Sequence, residues 1–159
     1  MNILALDLGT KTGYACYLDQ QPMKSGAVDF SPERHEGPGM RYLRFSGWLS
    51  SICAEHHIDA IYYEAVERHL GTSAAHVYGG LLAHLLAFAE QHKIPHKGLP
   101  VGSIKKRFAG KGNATKNDMI ECAKSHGFSQ QSSDEADAIA VLFLALDDLS
   151  INSAIRSAV

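Results

Sequence analysis

One stretch constrains this chain more than any other: Ile3-Leu4-Ala5-Leu6-Asp7, followed at once by the turn Leu8-Gly9-Thr10-Lys11-Thr12-Gly13. Apolar side chains fill consecutive positions, so both faces of an extended segment are apolar. That is the pattern of a strand covered on both sides of a sheet. A carboxylate at the end of such a strand has no packing role, because burying it unpaired is costly. Asp7 either caps the turn, accepting from the Gly9 or Thr10 N–H groups, or it binds a cation. The stretch alone leaves both readings open.

At 159 residues, 45% hydrophobic and 20% charged, the chain is most simply one globular domain with a substantial core. Its net charge of -2 means that a polyanionic partner would have to be held by local basic clusters. Cys16, Cys53 and Cys122 are odd in number, far apart and without a CxxC. They argue against a disulfide framework or a zinc knuckle and fit a reducing compartment. No run reaches transmembrane length, and the amino terminus lacks a basic region followed by an apolar one. A cytoplasmic protein with no membrane partner is expected.

Along the chain, residues 12–18 and 23–30 read as further strands joined by the turn Asp19-Gln20-Gln21-Pro22, which makes an antiparallel meander with the first. Ser31 to Gly39 carries two prolines and two glycines and reads as a loop. Met40, Leu43, Trp48, Leu49, Ile52 and Cys53 then recur at helical spacing, predicting an amphipathic helix over 40–57. Ile58 to Glu64 repeats the opening theme, a β-prone run ending in a carboxylate. A long helix is expected over 73–92, with Gly79-Gly80 suited to close packing, and a brief strand over 94–99. Two short helices, 101–109 and 116–125, flank a glycine-rich turn, and a last helix runs 133–149. Residues 1–149 are thus the expected domain and 150–159 a loosely held tail. A meander followed by alternating helices and strands implies an α/β fold, a mixed five-stranded sheet with helices on both faces. The first, fourth and fifth strands would lie parallel and adjacent, placing Asp7 beside Glu64.

The last helix opens Ser132-Ser133-Asp134-Glu135-Ala136-Asp137 and continues apolar on every side, so it must be buried. A capping box accounts for Ser132 and Glu135, and the helix dipole partly for Asp134. Neither accounts for Asp137, which shares a helix face with Asp134. Asp7, Glu64, Asp134 and Asp137 form a candidate cluster of hard oxygen ligands. Such a set suits Mg²⁺, with Mn²⁺ as a substitute, and not zinc. Two such ions about 4 Å apart are the usual device for phosphodiester hydrolysis.

Between Val101 and Lys116 lie Lys105, Lys106, Arg107, Lys111 and Lys116 and no acid, with Asn113 and Thr115 able to hydrogen-bond phosphate. A charge run is usually a solvated face. Beside an acidic metal site it becomes a landing strip for nucleic acid. Lys11, Arg68 and His69 would extend it around the rim, whereas His56, His57, His76, His84 and His92 read as surface residues.

Four ordered segments, LALDLGTKTGYA, IYYEAV, SIKKRFAGKGNATKNDM and DEADAIAV, resemble the RuvC family of Holliday-junction resolvases within the RNase-H-like superfamily. The resemblance runs from about Met1 to Asp148. It implies an RNase-H-like fold, and that Asp7, Glu64, Asp134 and Asp137 hold the metal ions while Lys105 and Lys116 attend the scissile phosphate. It further implies a homodimer, joined through helix 73–92, that nicks opposed strands of a four-way DNA junction. One position departs: where the family pattern has an aromatic three residues after the Glu, used for stacking on junction bases, this chain has Glu67. His69, Tyr62 or Tyr78 could take that role, and a cut-site sequence preference does not carry over. Two rival readings are a nuclease of the same fold acting on RNA or other branched DNA, and an actin-like ATP-binding protein whose phosphate hairpin DLGTKTG resembles. The second needs two lobes, and this chain has length for one.

Overall fold

The structure, a computed structural model, describes residues 1–67, 71–129 and 132–157, the last seven as backbone only. In chain order these residues form β1 (Ile3–Asp7), β2 (Lys11–Tyr17), β3 (Lys24–Asp29), α1 (Met40–His56), β4 (Ala60–Ala65), α2 (Thr72–His92), β5 (His96–Pro100), α3 (Val101–Ala109), α4 (Lys116–Ser125) and α5 (Ser133–Ser157). The five strands make one sheet in the order β3-β2-β1-β4-β5. β1–β2 and β2–β3 are antiparallel, while β1–β4 and β4–β5 are parallel. Short turns suffice for the first kind of pairing. The parallel pairs need crossovers, which α1 and α2 supply.

Strand alternation sorts the core into two layers. Leu4, Leu6, Cys16 and Ile61 face α1 and α2, where Phe45, Leu49, Leu81 and Leu85 cover them. Ile3, Ala5, Ala15 and Tyr62 face the other way, onto α3, α4 and α5. The expected mixed sheet with helices on both faces is present, with β1 in its middle. Gly80 in α2 faces the Tyr42 ring of α1, where an added Cβ would come within 2.4 Å of it, whereas Gly79 has nothing within 4 Å. The close packing expected at this pair is therefore Gly80's alone.

α5 is the central element of its layer. Ala136, Ala138, Ile139, Ala140, Val141, Leu142 and Ala145 are wholly buried, and the many alanines let its axis lie close to the sheet. Closest of all is its first turn. A Cβ on Gly13 of β2 would sit 1.8 Å from the Asp134 carbonyl oxygen, so only glycine admits the helix here. The helix also continues past Leu149, where the sequence reading ended it and placed a loose tail, as far as Ser157. No glycine or proline interrupts those residues, and nothing local stops the helix there.

Candidate active site

Asp7 closes β1 on the side of Ile3 and Ala5, toward α5, because alternate residues of a strand share a face. The same alternation in β4 puts Glu64 on the side of Ala60 and Tyr62. The parallel register ends at Leu6–Tyr63, so the next residues, Asp7 and Glu64, stand side by side. Their carboxyl groups share a hydrogen bond. Asp134 and Asp137 reach the same place from α5, which Gly13 allows to press its first turn onto β2 beside Asp7.

The electrostatics follow from this crowding. Burial, and then the charges of Glu64, Asp137 and Asp134, hold Asp7 well above the ordinary carboxylate range. Burial and the Asp137 charge push Glu64 up, opposed by the bond from Asp7 and by Lys105. Burial carries Asp137 up to about 6, against the pull of Lys105 and Lys116. Lys105 on α3 and Lys116 at the start of α4 therefore both lie within the field of the acids. Among the described residues, no three His, Cys, Asp or Glu side chains are placed so as to enclose an ion. The donor chemistry nonetheless fits a hard divalent cation: four carboxylates, only oxygen donors, and two ammonium groups too few to balance them.

The turn beside Asp7 is closed by another residue. The buried Thr12 hydroxyl donates to the Gly9 carbonyl at 2.8 Å and accepts from the Gly9 N–H at 3.4 Å. The Asp7 carboxyl is turned to the acid cluster, where it shares a hydrogen bond with Glu64. Glu135 goes elsewhere again. It accepts from the Ser25 hydroxyl of β3 at 2.7 Å, while its N–H donates to Ser132 at 3.1 Å. Together these bonds anchor the start of α5 across the sheet.

The basic segment divides. Lys105 and Lys116 face the acids, and Lys106 and Asn113 are exposed. Arg107 instead forks onto both oxygens of Asp147 in α5, Nη2 to Oδ1 at 3.0 Å. Lys111 pairs with Asp118 at 3.0 Å. Asp118 also accepts from the Thr115 N–H and is held down at about 2, chiefly by that bond and by Lys111. These two cations have internal partners that the sequence reading did not foresee, since both partners lie outside the basic run. Lys11 is exposed at the start of β2, opposite Asp29 of β3. Arg68 and His69 lie outside the described residues.

Of the aromatics suggested for stacking, Tyr62 and Tyr78 are 6% and 8% exposed and belong to the two core layers. A base cannot reach either ring, so that suggestion is corrected, and Glu67 stays exposed beyond the strand. Two residues that sequence reasoning missed matter to the site. Gly13 carried a signal, an isolated glycine inside a strand pattern. Tyr78 read as an available aromatic, with no signal that its hydroxyl bonds the Glu64 carbonyl and the Val66 N–H.

Solved structures resemble this one along most of its length. Thermus thermophilus RuvC in complex with a Holliday junction substrate matches with a TM-score of 0.73 and 19% identity, over 90% of this chain and 91% of that one. Thermus thermophilus RuvC in a further structure matches with a TM-score of 0.71 and 19% identity, over 90% and 92%. The fold is that of RuvC. A yeast mitochondrial Holliday junction resolvase matches with a TM-score of 0.61 and 14% identity, over 89% of this chain and 75% of that one. No family model and no curated protein matches the chain by sequence. No described helix is long and apolar enough to cross a membrane.

Proposed function

We propose that this chain is a structure-selective endonuclease that resolves four-way DNA junctions by metal-dependent phosphodiester hydrolysis. The observation that carries this reading is the meeting of Asp7, Glu64, Asp134 and Asp137, from three separate elements, beside Lys105 and Lys116 on a RuvC fold. Asp7, Glu64, Asp134 and Asp137 would hold Mg²⁺, two ions per site, with Mn²⁺ able to substitute. When bound, such ions polarise the phosphate and make a metal-held water nucleophilic at neutral pH.

The chain's own residues supply the remainder. Lys105 and Lys116 offer N–H donors and positive charge to the phosphate, stabilising negative charge that grows toward the transition state. Lys11, Lys106 and Asn113 hold flanking phosphates, as Arg68 and His69 would, whereas Arg107 and Lys111 do so only in exchange for Asp147 and Asp118. Exposed backbone contacts of this kind position DNA without reading its sequence. The paired cuts of a junction call for two such sites. The outward face of α2, with Ser73, His76, Gly79, Ala83 and Ala87 exposed, offers a small-residue surface on which a second copy can pack closely. The basic segment favours nucleic acid over a nucleotide alone.

The test is cleavage. Wild-type protein with Mg²⁺ cuts a synthetic four-way junction into symmetric nicked duplexes, and does so faster than linear duplex or RNA. Faster cutting of RNA would select the rival nuclease reading, and an intact junction with both Mg²⁺ and Mn²⁺ sinks the proposal. Sedimentation at micromolar concentration reads the dimer: a species of only 17.3 kDa, with and without junction, refutes it.

A further inference from the structure

The β1–β4 ladder ends at Leu6–Tyr63, one residue short of Glu64. β4 nevertheless continues to Ala65, paired only with β5 on its other edge. On the side that β1 has abandoned, the backbone groups of Glu64 and Val66 do not go unpaired. The Tyr78 hydroxyl of α2 donates to the Glu64 carbonyl at 3.0 Å and accepts from the Val66 N–H at 3.1 Å. One phenol oxygen thus takes the place of a missing strand residue, meeting a carbonyl and an N–H two positions apart as a neighbouring strand would. The ring is packed in the α1/α2 core layer and 8% exposed, so the hydroxyl has a fixed station.

Resting on the nuclease reading above, we propose that Tyr78 is a positioning residue for Glu64. Its hydroxyl fixes the two peptide groups that follow the Glu64 Cα, through the Glu64 carbonyl and the Val66 N–H, and so sets the direction of the Glu64 Cα–Cβ bond toward Asp7. Glu64 sits at the last turn of a strand, where one edge has lost its partner and fraying is the default. Its carboxyl group must nevertheless be held to a fraction of an ångström for the site to function. The hydroxyl removes that freedom from the far side of the sheet, without touching the reacting atoms. It also ties the helix whose outer face is proposed to meet a second copy directly to a site residue.

Tyr78→Phe removes the hydroxyl and keeps the packed ring. The expected result at saturating Mg²⁺ is a kcat for junction cleavage lower by about tenfold or more, with KM for the junction unchanged. Amide exchange at Val66 should quicken by about tenfold or more while Ile61 and Tyr62 keep wild-type protection. Wild-type kcat together with wild-type Val66 exchange in Tyr78→Phe overturns the inference. A general quickening of exchange through β1 and β4 together, with a lower Tm, also overturns it, because Tyr78 would then be a structural residue only. If the wild-type protein cuts no junction, the nuclease reading falls, while Val66 exchange still decides whether Tyr78 holds the strand end.

Discussion

The two faces of the sheet are drawn from alternate residues of the same strands, yet only one of them is sealed. Leu4, Leu6 and Leu8 look toward α1 and α2, where every position from one end of β1 to the other is apolar. Ile3, Ala5 and Asp7 look toward α5, where the apolar series stops one residue early and charge takes over. The difference is a matter of which helix comes nearest. On the first face Phe45, Trp48 and Phe30 form an aromatic cluster that fills the space above the strands. On the second the α5 backbone itself presses on Gly13, and the site lies where that helix begins. The sealed face gives stability. The open end of the other exchanges some stability for carboxylates kept close together.

The comparison is broken most sharply by neighbouring substitutions. Asp7→Asn should lower junction cleavage by about a thousandfold or more while leaving junction binding, read by gel shift, nearly unchanged. Leu6→Ala, one residue away on the sealed face, should cost about 2–5 kcal/mol of unfolding free energy in urea and leave kcat of the folded protein nearly intact. If both variants lost activity in proportion to stability, the division of labour between the faces would be wrong.

Gly13→Ala tests the contact that opens the site. The added methyl meets backbone that cannot rotate away, so α5 must move; a loss of about 1–3 kcal/mol and of most cleavage activity is expected. Gly79→Ala is the control on the outer face of α2, where a Cβ meets nothing. It should stabilise the monomer by about 0.5–1 kcal/mol in thermal unfolding at low concentration.

The pH dependence sharpens the same contrast more gently. Asp137 has its pKa raised by burial from 3.8 to about 6. The folded state therefore holds the proton more tightly than the unfolded chain. The stability this group contributes is full below about 4 and disappears as pH rises through about 6. Asp137→Asn should thus flatten the fall in Tm across that window and melt higher than wild type at pH 8 without divalent cations. Added Mg²⁺ should raise the wild-type Tm more at pH 8 than at pH 5, because the cation competes with protons for the same oxygens. An equal rise at both would remove these carboxylates as its ligands.

Much of this arrangement was legible in the residues. Apolar runs ending in Asp7 and Glu64, the helical spacing between them and the one that follows, and the all-round apolar α5 suffice for the sheet order and the pairing of the two acids. What escaped depended on distances between elements that no local pattern encodes. Gly13 and Gly80 are glycines for the sake of a partner that lies far along the chain, while Gly79, next to Gly80, has no such partner. Arg107 reads as one more cation of a basic run until α5 brings Asp147 to it. Tyr62 and Tyr78 read as available aromatics because burial of a tyrosine is decided by what covers it. The end of α5 was drawn too early because Leu149 is where the strong apolar pattern weakens, which is not the same as a signal to stop.

The contact between Gly13 and the first turn of α5 joins a residue of β2 to one made some 120 positions later, at Asp134. On the ribosome, β1 to β4 and the α1/α2 layer emerge well before α5, and they present most of the sheet with its second face bare. The carboxylate pair of β1 and β4 then lacks the acids of α5. A chain folding in that order brings its four acids together in the same step that covers this apolar face. On the nuclease reading proposed above, nascent chains are unable to cut DNA for as long as they are also prone to aggregate.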